Sequence, residues 1–187
     1  MKFRTTELPG VIVVEPRVHR DDRGFLLESY QATRYRENGI PASFVQDNHS
    51  SSVRGTLRGL HAQLAPRAQA KLLRVIEGEV YDVAVDARVG SPTFGRYVGE
   101  MLSAENHHQF FIPAGFLHGF CVTSERAQVE YKCSALYAPE CEIAVAWDDP
   151  EIGIRWPVEE PVVSPRDAAA LPLAELVDRL PRYTGEA

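Results

Sequence analysis

The stretch AKLLRVIEGEVYDVAVDAR, residues 70–88, decides the fold class. It is rich in valine, leucine and isoleucine, and β-branched residues favour strands. Glu77 and Gly78 interrupt the apolar run at its centre, which predicts a tight hairpin turn between two strands. After that turn, both alternating faces of residues 80–85 are mostly apolar, with Asp82 as the charged exception. A strand that is apolar on both faces is typical of the interior of a β-sandwich.

Short apolar stretches of the same kind recur from residue 11 onward and are separated by Gly, Pro, Asp and Asn. Their length and their β-branched and aromatic content predict about nine or more strands. Many strands with few helices indicate a mainly β protein, either a jelly roll or a small barrel. The stretches are VIVVEP, GFLLESY, FVQDNHSSS, FGRYVGEML, HQFFIPAGF, GFCVTS and AQVEYKCSALY.

Two segments depart from the β pattern and predict short helices. Residues 31–39 are polar and end at Gly39, which predicts a short surface helix. Near the C-terminus, Asp167 stands at a plausible N-cap, and leucines in residues 173–180 follow helical spacing. Pro172 must interrupt this region, so we expect short C-terminal helices there.

The composition indicates a single domain that spans residues 1–187. Hydrophobic residues make up 44% of the chain and charged residues 25%, which is ordinary for a folded domain. No internal repeat, linker or low-complexity tract divides the sequence. The formal net charge of -6 gives no general attraction to nucleic acid or to an anionic membrane. We therefore expect neither as a partner.

The cysteines and the N-terminal residues bear on the cellular compartment. Cys121, Cys133 and Cys141 are odd in number and form no CxxC motif, so we expect small buried side chains without chemistry of their own. The opening residues MKFRTTELPG lack the apolar core of a secretory leader. No apolar run approaches the roughly 20 residues that span a bilayer. These features predict a cytoplasmic protein.

Two histidines are candidate bases for proton transfer. His61 lies in LRGLHAQ, residues 57–63, and His118 follows a Pro-x-Gly turn in IPAGFLHGF, residues 112–120. Histidine titrates near neutral pH and acts as a general base when a second group holds its ring. A histidine on an apolar strand can also be a satisfied structural residue, so both interpretations stay open at this point.

The sequence before His118 also resembles the second motif of cupins, which are double-stranded β-helices. A metal-binding cupin would supply His-x-His and a nearby glutamate in its first motif, where this chain has His61, Ala62 and Gln63. Two histidines with Lys71 make a poor ligand set for zinc or iron. We therefore expect no metal, and a metal-dependent cupin oxygenase remains an alternative.

An ordered set of motifs extends over nearly the whole chain, and it comprises RGFLLESY, FVQDNHS, LRGLHAQ, KLLRVIEGEVYDVAVD, SPTFG, FIPAGFLHGF, YK, YAP, WDDPEIGIRWP and RDAAALPL. This set is similar to the dTDP-4-dehydrorhamnose 3,5-epimerase family. The resemblance implies a cupin-type jelly roll with short surface and C-terminal helices. It also implies a cofactor-independent isomerase that inverts carbons 3 and 5 of dTDP-4-dehydro-6-deoxyglucose through an enolate.

The resemblance also implies roles for individual residues. His61 matches the proton acceptor, and Asp167 matches the carboxylate that holds its ring. Lys71 would face the enolate oxygen, and Tyr131 would return a proton on the other side of the sugar. Tyr137 matches the aromatic residue that stacks on thymine. Further positions match substrate contacts, and these are Arg23, Glu28, Gln46, Asp47, Asn48, Arg58, His118, Glu142 and Arg166.

Departures from the family pattern leave the particular sugar open. Ala62 replaces a bulky aromatic residue, RAQAKL replaces a QGKL pattern, and Arg166 stands where lysine is more usual. A mono-epimerase acting at carbon 3 or carbon 5 of a modified sugar nucleotide is one alternative. A non-catalytic cupin that binds a sugar nucleotide is another.

The resemblance implies a homodimer and a biosynthetic role. The family is usually dimeric, and VIVVEP could pair with the partner's sheet by β-augmentation. The implied pathway supplies rhamnose to cell-surface polysaccharide or sugars to a secondary metabolite.

Overall fold

In the computed structural model, which describes residues 1–41 and 43–185, two antiparallel β-sheets face each other. The six-stranded sheet and the five-stranded sheet account for all but two of the strands, and those two form a separate hairpin. The strands β1 to β13 of the described residues are Lys2–Thr5, Ile12–Glu15, Val18–Asp21, Gly24–Leu27, Gln46–Val53, Leu57–Gln63, Lys71–Glu77, Glu79–Asp86, Tyr97–Ser103, Gln109–Ile112, Phe116–Val122, Arg126–Cys133 and Glu142–Ala144.

The core lies between the two sheets. The strand order is β1-β2-β10-β7-β12-β5 in the six-stranded sheet and β13-β6-β11-β8-β9 in the five-stranded sheet. Leu73 and Phe110 from the first sheet pack with Val80 and Phe120 from the second. Burying one such side chain contributes about 1.5–3 kcal/mol. This two-layer arrangement confirms the predicted cupin-type jelly roll.

The segment around Gly78 differs from the sequence expectation. The predicted hairpin is wrong, because β7 pairs with β10 and β12 whereas β8 pairs with β9 and β11. Gly78, with a φ of 76°, carries the chain from one sheet to the other. A Cβ there would lie 2.0 Å from the carbonyl oxygen of Arg126, so glycine is required. Two apolar runs around a turn look the same in sequence whether the strands pair or change sheets.

Apolar side chains also cover the outer faces of both sheets. Helix α1, Ala32–Glu37, packs Tyr35 against Phe111 on the six-stranded sheet. The C-terminal segment packs Leu173 and Leu176 onto the five-stranded sheet. These contacts explain why strands such as β8 are apolar on both faces.

Both predicted helical regions form short helices. Helix α1 ends before Gly39, while α2, Pro165–Ala168, and a 3₁₀ helix, Leu173–Arg179, lie near the C-terminus. The expectation that Asp167 is the N-cap is wrong. Ser164 is the N-cap of α2, and its hydroxyl accepts a hydrogen bond from the backbone N–H of Asp167 at 3.1 Å. The carboxylate of Asp167 is thereby left for another partner. A further 3₁₀ helix spans Pro139–Cys141.

Strands β3 and β4 form the hairpin that lies outside both sheets. Its second strand, β4, carries Phe25 and Leu26, which are 57% and 73% exposed. The motif VIVVEP forms β2, which already lies between β1 and β10, so β1 rather than β2 is the edge strand of the six-stranded sheet.

The three cysteines are all free; Cys121 and Cys133 are buried as expected, whereas Cys141 is partly exposed. No helix in residues 1–41 and 43–185 is both long and apolar enough to cross a membrane.

Candidate active site

His61 and Asp167 are joined by a short hydrogen bond. Nε2 of His61 lies 2.6 Å from Oδ1 of Asp167, which comes 106 positions later in the chain. Asp167 is buried, which on its own would raise its pKa, but the hydrogen bond and charge of His61 outweigh this and lower the pKa of the carboxyl group. A carboxylate against Nε2 fixes the ring and leaves Nδ1 available to take up a proton.

The pairing of β6 with the segment before α2 brings these two residues together. The backbone N–H of Leu57 donates to the carbonyl oxygen of Val162 at 3.0 Å. The chain then turns into α2 at Ser164, which directs Asp167 back toward β6. The positions of His61 and Asp167 relative to each other are therefore fixed by backbone hydrogen bonds as well as by the contact between their side chains.

A cavity of about 480 Å³ lies between the sheets, and we call it the main cavity. His61, Lys71, His118 and Tyr131 line it from β6, β7, β11 and β12. A smaller cavity of about 100 Å³, the side cavity, shares His61, Lys71 and Tyr131 with it. These three side chains line both cavities, His61 from the five-stranded sheet and Lys71 and Tyr131 from the six-stranded sheet that faces it.

Lys71 is the first residue of β7, and it is partly buried. Burial lowers the pKa of its ammonium group, while the nearby Cys133, Glu142 and Asp82 act in the opposite direction. A cation held in a site with little water interacts strongly with an anion that forms beside it.

Tyr131 lies on β12, opposite Leu73 of β7 and Asn48 of β5. Burial raises the pKa of its phenol. The group therefore stays protonated at neutral pH and can donate a proton to a strong base.

His118 and Asp82 form a second imidazole and carboxylate pair, although Asp82 is not one of the predicted site residues. Nε2 of His118 lies 3.0 Å from Oδ1 of Asp82, whose side chain is fully buried. Among the described residues, neither carboxylate oxygen of Asp82 has an aligned hydrogen-bond donor. A charged residue in the apolar run of residues 80–85 was the signal that could have identified it.

The mouth of the site carries several charged and aromatic side chains. Oε2 of Glu142 accepts hydrogen bonds from Nη1 of Arg166 at 2.7 Å and from the hydroxyl of Tyr137 at 3.0 Å. Arg58 lines the main cavity, and its Nε donates to the hydroxyl of Ser52 at 3.1 Å. Two guanidinium groups are therefore held at the cavity by neighbouring polar side chains.

Gln46 and Asn48 line the side cavity from β5. The amide of Gln46 donates to the side-chain oxygen of Asn48 at 3.1 Å, and Asn48 contacts the sulfur of Cys133 at 3.5 Å. Side chains alternate along a strand, and Asp47, between these two residues, faces outward and pairs with Lys132 at 3.0 Å. Gln46 and Asn48 thus reach the site while Asp47 does not.

Within one chain, Arg23 and Glu28 also lie away from the two cavities. Arg23 is on the exposed hairpin and pairs with Asp21 at 2.5 Å. Glu28 pairs with Arg34, the neighbouring cation on α1. The described residues of a single chain therefore assemble eleven of the fourteen predicted positions at the cavities, which are His61, Lys71, Tyr131, Asp167, Gln46, Asn48, Arg58, His118, Tyr137, Glu142 and Arg166.

No group of three His, Cys, Asp or Glu side chains in the described part of the chain has the arrangement of a metal site. The cavity instead combines two imidazoles, an ammonium group and a phenol. This set is suited to moving protons and to stabilising an anion.

Comparison with known proteins gives consistent matches over nearly the whole chain. A family model described as dTDP-4-dehydrorhamnose 3,5-epimerase matches residues 5–175. A dTDP-4-dehydrorhamnose 3,5-epimerase from Pseudomonas aeruginosa is 56% identical over 169 residues, which cover 89% of this chain and 93% of the relative. A dTDP-4-dehydrorhamnose 3-epimerase from Streptomyces niveus is 41% identical over 186 residues, which cover 98% of this chain and 90% of the relative.

A solved structure matches the fold equally well. It is the crystal structure of a dTDP-6-deoxy-D-glucose-3,5-epimerase from Legionella pneumophila Philadelphia 1 in complex with dTDP-4-keto-L-rhamnose. Its TM-score is 0.94 at 49% sequence identity, and the match covers 98% of this chain and 99% of that chain.

Proposed function

Since this chain belongs to the dTDP-4-dehydrorhamnose 3,5-epimerase family, we propose that it is the isomerase that converts dTDP-4-dehydro-6-deoxyglucose to dTDP-4-dehydrorhamnose. The observation that carries the proposal is the convergence of a carboxylate-held imidazole, an ammonium group and a phenol on one cavity. Inversion of carbons 3 and 5 needs these three groups and no redox chemistry.

The first step removes a proton from a carbon next to the ketone. The ketone at carbon 4 acidifies the hydrogens on carbons 3 and 5, because the electron pair left behind moves onto the ketone oxygen. Nδ1 of His61 takes the proton, and the carboxylate of Asp167 stabilises the resulting imidazolium through Nε2. A positioned general base of this kind typically contributes about 100- to 10,000-fold in rate.

The enolate oxygen formed in this step needs a fixed positive partner. The ammonium group of Lys71 lines the same cavity as His61 and is partly buried. A preorganised donor at a developing oxyanion typically contributes about 3–4 kcal/mol to the transition state. The same oxygen carries the charge whichever carbon is deprotonated, so one lysine serves both steps.

The second step returns a proton to the opposite face of the same carbon. The phenol of Tyr131 donates it, and the electron pair of the enolate forms the new C–H bond as the ketone is restored. The phenolate then regains a proton from solvent while His61 releases its proton to solvent. Each inversion therefore leaves substrate and enzyme with unchanged proton counts and replaces one substrate hydrogen with a solvent hydrogen.

The nucleotide part of the substrate fits the mouth of the site. Arg58 and Arg166 carry guanidinium groups, each of which can bind two oxygens of a diphosphate through two parallel hydrogen bonds. Tyr137, which is 57% exposed, offers an aromatic face for the thymine base. These local cations explain how a chain with a net charge of -6 binds an anionic substrate.

A homodimer accounts for Arg23 and Glu28, which do not reach the cavities of their own chain. The β3–β4 hairpin exposes Phe25 and Leu26, and β1 is a free sheet edge, so both can contact a second copy. Mixing an Arg23→Ala variant with a His61→Ala variant tests this. If the partner supplies Arg23, hybrid dimers contain one intact site and regain activity; a mixture as inactive as its components would exclude the arrangement.

The function is tested by turnover in deuterated water. The protein is incubated with dTDP-4-dehydro-6-deoxyglucose, and deuterium at each ring carbon is followed by NMR. We expect solvent deuterium at carbons 3 and 5 of the product. Exchange at neither carbon would overturn the enzymatic assignment, and binding without exchange would indicate a sugar-nucleotide-binding cupin instead.

The same experiment separates the two kinds of epimerase. Deuterium at carbon 3 or carbon 5 alone would indicate a mono-epimerase, the activity named for the Streptomyces niveus relative. Repeating the assay after dialysis against a chelator, with elemental analysis of the protein, tests the oxygenase alternative. We expect unchanged activity, and loss of activity with one metal per chain would contradict the proton-transfer mechanism.

A further inference from the structure

Residues 134–138 form an irregular segment between β12 and the 3₁₀ helix at Pro139–Cys141, and they carry Tyr137. A segment outside the sheets has no strand partners for its backbone groups, yet buried or half-buried N–H and C=O groups need partners. Three glutamine side chains supply them here. We call Gln46, Gln63 and Gln69 the glutamine clamp.

Gln63 makes the largest contribution to the clamp. Its side chain is buried, at 4% exposure. Its Oε1 accepts from the backbone N–H of Ala138 at 2.8 Å, and its Nε2 donates to the carbonyl oxygens of Leu136 at 3.0 Å and Arg67 at 2.6 Å. One amide therefore fixes the backbone on both sides of Tyr137.

The two other glutamines bind the remaining groups of the segment. Oε1 of Gln46 accepts from the backbone N–H of Tyr137 itself at 2.9 Å. Nε2 of Gln69 donates to the carbonyl oxygen of Ala135 at 2.7 Å. Backbone groups of four consecutive residues, 135–138, are thus each bonded to a glutamine side chain.

The hydroxyl group of Tyr137 is held through strands β13 and β6. It donates to Glu142 at 3.0 Å, and Glu142 is the direct partner of Gln63 across β6 and β13. Gln63 also lies two positions after His61 on the same face of β6. The ring of Tyr137 is therefore fixed to the strand that carries the proposed base, although the ring itself is largely exposed.

From these contacts we propose that Gln63 is a positioning residue of the nucleotide site. Through the glutamine clamp it holds Tyr137 in the orientation in which the ring stacks on the pyrimidine base of a nucleoside diphosphate. This inference rests on the proposed function, because it takes the base as the ligand of Tyr137. A tyrosine fixed before binding loses less conformational entropy when the base arrives.

The binding test uses dTDP alone and Gln63→Met, which keeps the size of the side chain and removes all three hydrogen bonds. We expect the Kd for dTDP, measured by calorimetry, to rise about tenfold, which corresponds to about 1.4 kcal/mol. Gln109→Met is the matched control. Gln109 is also buried and hydrogen-bonded, to Ser29 and Tyr35, but it lies outside both cavities. Loss of its hydrogen bonds in Gln109→Met is therefore expected to lower Tm and to leave the Kd for dTDP unchanged.

A double-mutant cycle with Tyr137→Ala identifies the route of the effect. If Gln63 acts through Tyr137, Gln63→Met changes the Kd little once Tyr137 is alanine. An equal effect of Gln63→Met with and without Tyr137 would overturn the proposal, because Gln63 would then act by another route. Should Gln63→Met fail to fold, Gln69→Met tests the same clamp, with an expected rise in Kd of about threefold and the same dependence on Tyr137.

Kinetics separate this role from an effect on the base. We expect Gln63→Met to raise KM for the sugar nucleotide with kcat within about twofold of wild type, since only binding is affected. A fall in kcat with unchanged KM would contradict the proposal and indicate an effect on His61. Deuterium exchange by the wild-type protein is independent of these results, so the proposed function can stand when the clamp fails.

Discussion

His61 and His118 are direct partners across β6 and β11, and each ring lies against a buried carboxylate. Asp167 approaches His61 to 2.6 Å, and Asp82 approaches His118 to 3.0 Å. The two pairs line one cavity, yet they differ in alignment, because Asp167 is hydrogen-bonded whereas Asp82 has no aligned donor among the described residues. The hydrogen bond to Asp167 suits the His61 pair to proton transfer. Asp82 instead acts through its negative charge on the neighbouring His118 and Lys71.

The first prediction concerns the base. His61→Ala and Asp167→Asn should each lower turnover, His61→Ala by about 1,000-fold or more and Asp167→Asn by about 100-fold. Asparagine keeps the shape of aspartate. The capping hydrogen bond runs from the backbone N–H of residue 167 to the hydroxyl of Ser164, so it does not involve the side chain of residue 167. The Asp167→Asn protein should therefore remain folded by circular dichroism. Turnover at the wild-type rate in either variant would remove His61 or Asp167 from the mechanism.

The second prediction separates the base from the acid. Tyr131→Phe keeps the ring and removes the phenolic proton, so deprotonation by His61 should continue while protonation from the opposite face fails. Deuterium should then enter the substrate faster than the product forms, by about tenfold or more. NMR measures both in one sample. An equal loss of exchange and inversion would mean that Tyr131 has no separate role as the acid.

The third prediction concerns Asp82. Its charge raises the pKa of both Lys71 and His118, against the lowering caused by burial. Asp82→Asn should therefore lower both pKa values further. Since the cationic form of Lys71 is lost as pH rises through its pKa, the alkaline limb of the rate profile should move to lower pH. Turnover at neutral pH should fall about tenfold, equally for exchange at carbons 3 and 5, because both enolates place charge on the same oxygen.

Asp86→Asn is the control for that change. Asp86 lies on the same strand β8 and is also fully buried, but it bonds to Arg88, Ser91 and Thr93 away from the cavities. We expect its pH–rate profile to match wild type. A profile shifted as in Asp82→Asn would show that loss of any buried charge on β8 has this effect, and the role of Asp82 would then be structural.

The fourth prediction is a pH dependence of stability. Burial raises the pKa of Asp86, but hydrogen bonds from Arg88, Ser91 and Thr93 outweigh it, so the folded pKa is lowered. Its contribution to stability is complete above the ordinary aspartate pKa of about 3.9 and is lost as pH falls below that value toward the folded pKa. Asp86→Asn should reduce the free energy of unfolding at pH 7 by about 2 kcal/mol.

Thermal unfolding measured from pH 7 to pH 3 tests this dependence. Below pH 4, the Tm difference between wild type and Asp86→Asn should narrow, because the Asp86 carboxylate of the unfolded wild-type chain becomes protonated there while the folded one stays ionised down to its lower pKa. A difference that stays constant down to pH 3 would contradict the lowered pKa.

Local sequence patterns determined the fold class and several members of the site. Alternation of apolar residues predicted the strands, and Gly39 and Pro172 marked helix boundaries that the structure retains. Motif similarity predicted His61, Lys71 and Tyr131 as site residues, and the folded chain brings all three to the same two cavities. These features depend on residue type and on spacing within one strand or turn, and both can be read from the sequence.

Only the tertiary structure decided which strands pair and which polar groups meet. Gly78 reads as a hairpin turn, but long-range pairing makes it a crossing between sheets. The local sequence around Asp167 indicates a cap, and only the family resemblance pointed to His61; the fold brings the carboxylate to that histidine, 106 positions away. The contacts of Asp82 with His118 and of Gln63 with residues 136 and 138 likewise depend on sheet register and on loop paths. Register is set by the packing of the whole core, so no short stretch of the chain encodes it alone.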